Sequence, residues 1–198
     1  MIYNAKKTIG TCYGEINPNE FRPLYLNDFA IKWHSTVKYL GNLLSYDLSD
    51  AADIKLKKGS FIAAVNKLNY IFQSADSFTR IKLLQTYCTA WYGCQSWLLD
   101  SSDTNKLDIE WRKAVRRTLG FPARTRSALL PDLAGSRPFC QQHRSRVIKF
   151  LRTLKKCENK AVNFLYNRAQ YNTTGPLGKN ITYLQVCPPV DHGDLRSD

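Results

Sequence analysis

The spacing of apolar residues changes once along this chain, near residue 50. Before that point, apolar and polar residues come in short runs with strand character. Arg22-Pro23-Leu24-Tyr25-Leu26 and Phe29-Ala30-Ile31-Lys32-Trp33 flank Asn27-Asp28. A two-residue link of turn formers between runs of β-formers predicts a hairpin. Val37 to Leu44 reads as a third strand, with Gly41 marking a bulge or a close backbone approach. From Asp50 the period becomes helical. Ile54, Phe61, Val65, Leu68 and Phe72 recur at helical spacing, and Ile62 and Ile71 widen the stripe. Asp76 or Ser77 is the expected N-cap of a second helix through Phe78, Ile81, Leu84, Cys88, Trp91 and Tyr92. That segment is apolar on most sides, so it is expected at the centre of a bundle. Asp103 opens a third helix on Leu107, Trp111, Ala114, Val115 and Leu119, ended by Gly120 and Pro122. After a turn-rich stretch through Pro131, Gly135 and Pro138, a fourth helix carries Val147, Ile148, Leu151 and Leu154. Asn159 to Gln170 reads as a short fifth, and the segment beyond Tyr171 as loop or frayed tail. The expected fold is α+β and mostly α: a small antiparallel segment of hairpin plus strand, then a helical bundle.

Charge adds a partner. The chain holds 29 Lys and Arg against 16 Asp and Glu, a net charge of +13. From Arg112 to Lys160 there are fourteen basic residues and two acidic ones, Asp132 and Glu158, so this stretch accounts for nearly all of the surplus. A solubilising surface mixes its signs, whereas clustered like charges repel one another. Such a cluster suits a polyanion, most commonly nucleic acid. Arg112 with Arg116, and Lys113 with Arg117, form two i,i+4 columns on the polar face of the third helix. Arg124, Arg126, Arg144, Arg146 and Lys149 extend the candidate nucleic-acid-binding set. Side chains of this kind position a backbone without reading its sequence. If about six phosphates are contacted, the binding constant falls with salt at a log–log slope near −5.

Enzymatic chemistry is harder to place. Nucleotidyl transfer needs carboxylates that hold two metals about 4 Å apart, and no two aspartates are adjacent anywhere in the chain. Asp47, Asp50 and Asp53 come nearest. Their spacing at the start of a helix predicts capping and dipole roles rather than a metal site. Cys140-Gln-Gln-His143, Cys157, Cys187 and His192 do not have the paired spacing of a zinc finger. No Gly-rich loop opens a helix, so a phosphate cradle of that type is not indicated. The six cysteines follow no secretory leader, and an intracellular site, nuclear or cytoplasmic, is expected rather than secretion. The sequons at Asn172 and Asn180 are read as chance. No apolar run reaches the roughly 18 residues of a membrane span, so no membrane partner is expected.

Four strings, in order, resemble the C-terminal part of the reverse transcriptase of LINE-type (non-LTR) retrotransposons. Asn4-Ala5-Lys6-Lys7-Thr8 looks like the family's motif D. Val37-Lys38-Tyr39-Leu40-Gly41 is similar to its K-Y-L-G primer-grip strand. Tyr92-Gly93-Cys94-Gln95-Ser96-Trp97 is similar to the Y-G-x-E-x-W string of the thumb, with Gln95 where Glu is usual. Arg116-Arg117-Thr118-Leu119-Gly120 is similar to R-x-I-L-G at the end of a thumb helix. The likeness runs from about residue 1 to 154.

The resemblance implies a palm remnant over 1–48 and a thumb bundle over 49–121; the residues themselves read as a basic helical extension over 122–171 and a loop or tail over 172–198. It implies that Lys7, or failing it Lys6, matches the motif D lysine near the incoming nucleotide's phosphates. It gives Tyr39, Leu40 and Gly41 a primer-grip role. The family's fingers, first palm aspartate and x-Asp-Asp turn would precede Met1, so the reading frame is expected to be 5′-truncated. The family uses Mg2+, but no cofactor is expected in this chain. The expected function is a thumb that grips an RNA–DNA hybrid or duplex and has no polymerase activity on its own. The alternatives are a basic helical nucleic-acid-binding module and a helical protein-interaction bundle.

Overall fold

A computed structural model describes residues 4, 8–14, 20–26, 28–89 and 91–186. The motif-D-like Lys6 and Lys7 lie outside the described residues, as do Cys187 and His192. The fold is α+β and mostly α. The chain forms two compact units, Met1–Gly93 and Cys94–Asp198. Their boundary falls inside the Y-G-x-Q-x-W string, within the segment 49–121 expected to be one bundle.

The first unit opens with β1 (Ile9–Gly10), β2 (Leu24–Leu26) and β3 (Phe29–Trp33). β2 and β3 form the expected hairpin, with Leu26 opposite Phe29 and Asp28 at φ 64° in its turn. β1 adds to the other edge of β3 in parallel, so this sheet is mixed and not purely antiparallel. Trp33 is half-buried; its indole lies against Phe21 at 5.2 Å and its Nε1 donates to Arg22 O at 3.0 Å.

The single third strand is instead a second hairpin, β4 (Thr36–Tyr39) with β5 (Asn42–Ser45). Leu40 and Gly41 make its two-residue turn, at φ 45° and 83°. A hairpin loop of this length needs left-handed backbone to follow the strand twist. Gly41 therefore marks a reversal, not a bulge.

α1 (Ala51–Ile71) buries Ile54, Phe61, Val65 and Leu68, as the stripe predicts. Ile71 and Phe72 stay exposed at its end. Asp76 caps α2 (Ser77–Leu83), accepting from the Thr79 amide at 3.0 Å. The Thr79 hydroxyl, then that amide, hold its carboxyl below the ordinary carboxylate range. The chain continues as a π-helical turn over Leu84–Cys88 and leaves the helix at Thr89. It is not one central helix reaching Tyr92. The Thr86 and Thr89 hydroxyls bond back to Lys82 O and Gln85 O, a habit that bends helices. Ile81, Leu84, Cys88 and Trp91 are buried as expected, but Phe78 and Tyr92 are exposed.

In the second unit α3 (Ser102–Leu119) begins at a capping box of Ser101 and Thr104 and ends at Gly120 in left-handed backbone. The turn-rich stretch contains a short helix, α4 (Leu130–Ala134), before α5 (Phe139–Lys156) and α6 (Lys160–Tyr171). The expected tail is helical too. α7 (Pro176–Val186) packs Ile181 against Val147 and Leu151 of α5. Asn180 anchors it, donating to Trp97 O and accepting from the Leu99 amide, both at 2.9 Å. The Gly and Pro content foretold a loop because local propensity cannot register a distant partner. Trp97, Trp111, Phe139 and Leu130 fill the core of this unit.

Candidate nucleic-acid interface

α3 turns Leu107, Trp111, Ala114, Val115 and Thr118 into the core of the second unit. The opposite face follows from helical spacing: Ile109, Arg112, Lys113, Arg116 and Arg117 share it. With Phe121, Ala123 and Ser127 from the following segment, they line one cleft of about 470 Å³. All four cations of the two i,i+4 columns thus border a common concave surface.

Those four cations are held differently. Lys113 and Arg117 are exposed, and Lys113 Nζ pairs with Glu110 at 2.9 Å on the surface. Arg112 reaches across a turn to the buried carboxylate of Asp108. Asp108 also accepts from the Cys140 amide at 3.1 Å, satisfying an open donor in the first turn of α5. Arg116 closes the cleft: Nη2 donates to Thr125 O at 2.9 Å and to Ser127 Oγ at 2.8 Å. Arg112 and Arg116 therefore tie the fold to Asp108 and to the 125–127 segment, while Lys113 and Arg117 are the two exposed cations of the cleft.

The remaining predicted cations do not line this cleft. Arg124 and Arg126 are exposed on the segment after α3. On α5, Lys149 is exposed, Arg144 lies over the Tyr183 ring at 5.9 Å and Arg146 reaches Cys94 Sγ at 3.9 Å. Two of the three α5 cations thus have packing partners within their own unit.

In the first unit the primer-grip-like residues sit at the tip of the β4–β5 hairpin. Tyr39 is 62% and Leu40 is 70% exposed. A Cβ on Gly41 would lie 3.8 Å from the Tyr92 ring, and one on Gly93 would overlap the Asn42 side chain. Two of the family-like strings therefore meet here, through the glycine of each. Below the tip, Asn42 Oδ1 accepts from Lys57 Nζ, and Lys57 pairs with Asp53 at 2.7 Å. Asp53 Oδ1 accepts from the Leu43 amide at 2.9 Å, which ties the hairpin to α1.

No family model, curated protein or solved structure matches this chain.

Two of the three carboxylates nearest a metal-binding pattern have other work. Asp53 is buried against Lys57. Asp47 accepts from the Ser49 amide at 2.9 Å, and the Ser45 hydroxyl and that amide keep its carboxyl below the ordinary range. Asp50 stands at the N-cap of α1, where its carbonyl accepts from Ile54 N at 2.9 Å, but its side chain makes no capping hydrogen bond, so the expected cap is not formed there. Among the described residues no group of three His, Cys, Asp or Glu could hold a metal ion.

His143 belongs to an aromatic core, stacked on Phe139 at 5.6 Å and edge-on to Trp97 at 5.9 Å. Burial pushes its pKa down to about 4, and Arg146 adds to that effect. Burial and the Asp108 carboxylate push the Cys140 thiol up, away from a reactive thiolate. No helix among the described residues is long and apolar enough to cross a membrane.

Sequence reasoning missed Ile109, Phe121, Ala123 and Ser127 in the cleft. Ile109 was findable, since it precedes Arg112 and Lys113 by three and four residues on the same face. The others come from a segment whose path depends on the Arg116 clasp.

Proposed function

We propose that this chain is a nucleic-acid-gripping polypeptide related to the thumb of LINE-type reverse transcriptases, without polymerase activity on its own. The observation that carries the reading is the shared cleft of Arg112, Lys113, Arg116 and Arg117. A concave surface lined by one sign of charge concentrates a polyanion. The preferred partner is an RNA–DNA hybrid or duplex, held through its backbone. The contact between the Gly41 and Gly93 strings supports the family likeness, because neither string predicts the other locally. The absence of adjacent aspartates from the sequence and the structural roles of Asp47 and Asp53 support the lack of catalysis.

A salt-dependent mobility shift with hybrid, DNA duplex and RNA duplex tests the grip. Hybrid is expected to bind tightest, with affinity falling steeply as salt rises. Lys113→Ala with Arg117→Ala is the informative variant, since these are the two exposed cations of the cleft. It should lower the salt slope by about 2 with an unchanged circular dichroism spectrum. An unchanged slope removes the cleft from the reading. Equal affinity for every duplex favours a general basic module over a thumb. Primer extension on poly-rA with Mg2+ is expected to give no incorporation, and incorporation above background would overturn the inactive assignment.

A further inference from the structure

We infer that the α3 cleft takes an unpaired nucleotide of a nucleic-acid chain, its base against Phe121 and Ile109 and its phosphate among Arg112, Lys113 and Arg117. This rests on the nucleic-acid reading above and adds which part of the polymer enters.

The cleft is not uniformly cationic. Ile109 is 48% and Phe121 is 36% exposed, and both face the same space as the cations. A duplex presents phosphates outward and keeps its bases stacked inside, so it can use the cations but leaves the apolar wall without a partner. An aromatic platform beside a positive groove is the combination that grips single strands. The volume of about 470 Å³ lies in the range of small-molecule sites, roughly 300–1,000 Å³, which is room for one nucleotide.

The wall is also fixed in place. The Phe121 amide donates to Arg116 O at 2.8 Å just after the left-handed turn at Gly120. The Arg116 guanidinium holds Thr125 and Ser127 from the other side. Phe121 therefore leaves the end of the helix on a backbone secured at both ends of its loop, and the platform needs little ordering when a base arrives.

The experiment measures fluorescence anisotropy of the full chain with three labelled duplexes: blunt, with a three-nucleotide overhang, and with the same overhang made abasic. The natural overhang is expected to bind about tenfold tighter than the blunt end, the effect of one base–aromatic stack. The abasic overhang, which keeps the phosphates, should gain no more than about twofold. Phe121→Ala should reduce the natural overhang to the abasic level, and Phe121→Trp should keep the gain. Equal binding of natural and abasic overhangs overturns the inference whatever the variants do. So does a gain that survives Phe121→Ala in a folded chain. Salt-sensitive binding of the blunt duplex with no overhang gain would sink this inference alone. No binding of any of the three at low salt would remove the nucleic-acid reading as well.

Discussion

Both units tie their elements together with an ion pair on a buried aspartate, and the second adds a cleft lined by cations. In the first, Asp53 and Lys57 are paired with their side chains 4% and 13% exposed, and they tie the β4–β5 hairpin to α1. In the second, Lys113 and Arg117 stand exposed along a cleft. The first unit presents Tyr25, Tyr39, Leu40, Tyr70, Phe78 and Tyr87 to solvent; the second presents Phe164, Leu165, Tyr171 and Val186, and adds the cations on the outer face of α3. A buried pair must be complete, because either partner left alone is an uncompensated charge. An exposed pair such as Lys113 with Glu110 adds little to stability, so its loss should cost the fold little. Pairs on a buried aspartate thus serve shape in both units, and in the second further cations line a cleft.

The comparison breaks first at Asp53. Asp53→Ala should cost about 3–4 kcal/mol in a urea melt, because Lys57 stays part-buried and the Leu43 amide loses its acceptor. Asp53→Leu with Lys57→Met should recover most of that loss. A cost below about 1 kcal/mol would place the pair with ordinary surface bridges. His143 gives the second unit its own test. Its folded pKa of about 4 lies below the ordinary 6.5, so its contribution is whole above pH 6.5 and is lost as pH falls toward 4. The full loss is about 3 kcal/mol. His143→Leu should flatten stability over that window relative to the parent, and an unchanged pH slope would show that another group sets it.

Gly93→Ala should cost about 2–3 kcal/mol, from its left-handed φ of 80° and from overlap with Asn42. In an Asn42→Ala background the penalty should shrink to about 1–2 kcal/mol, the backbone share alone. Full additivity in that cycle would mean the two residues do not meet. The smallest effect is expected at the hairpin tip. Leu40 holds a left-handed conformation at φ 45° that suits Asn, and Leu40→Asn makes the favoured Asn-Gly turn. It should raise stability by about 1 kcal/mol in thermal denaturation; destabilisation would mean that the exposed Leu40 side chain packs against something that holds it.

Legibility followed the range of the interactions. The β2–β3 hairpin, the buried stripe of α1, the Asp76 cap and the Gly120 stop were readable, because each depends on neighbours within a few residues. The four cations of the cleft were readable as two columns for the same reason. Leu40-Gly41 was misread as the interior of a strand. A turn and a bulge ask for the same glycine, and only the pairing register, Tyr39 opposite Asn42, separates them.

The sequence by itself determined the change from strand to helix near residue 50, the α+β class and the side of α3 on which positive charge gathers. These rest on side-chain periodicity and local capping, which a chain carries before it folds. Tertiary structure decided that the chain divides at Gly93, that Asn180 recruits a last helix, that Asp108 serves α5 and that Arg116 draws Phe121 and Ser127 beside the cations. Each of these joins residues through contacts whose partners exist only once the backbone has brought them within hydrogen-bond reach.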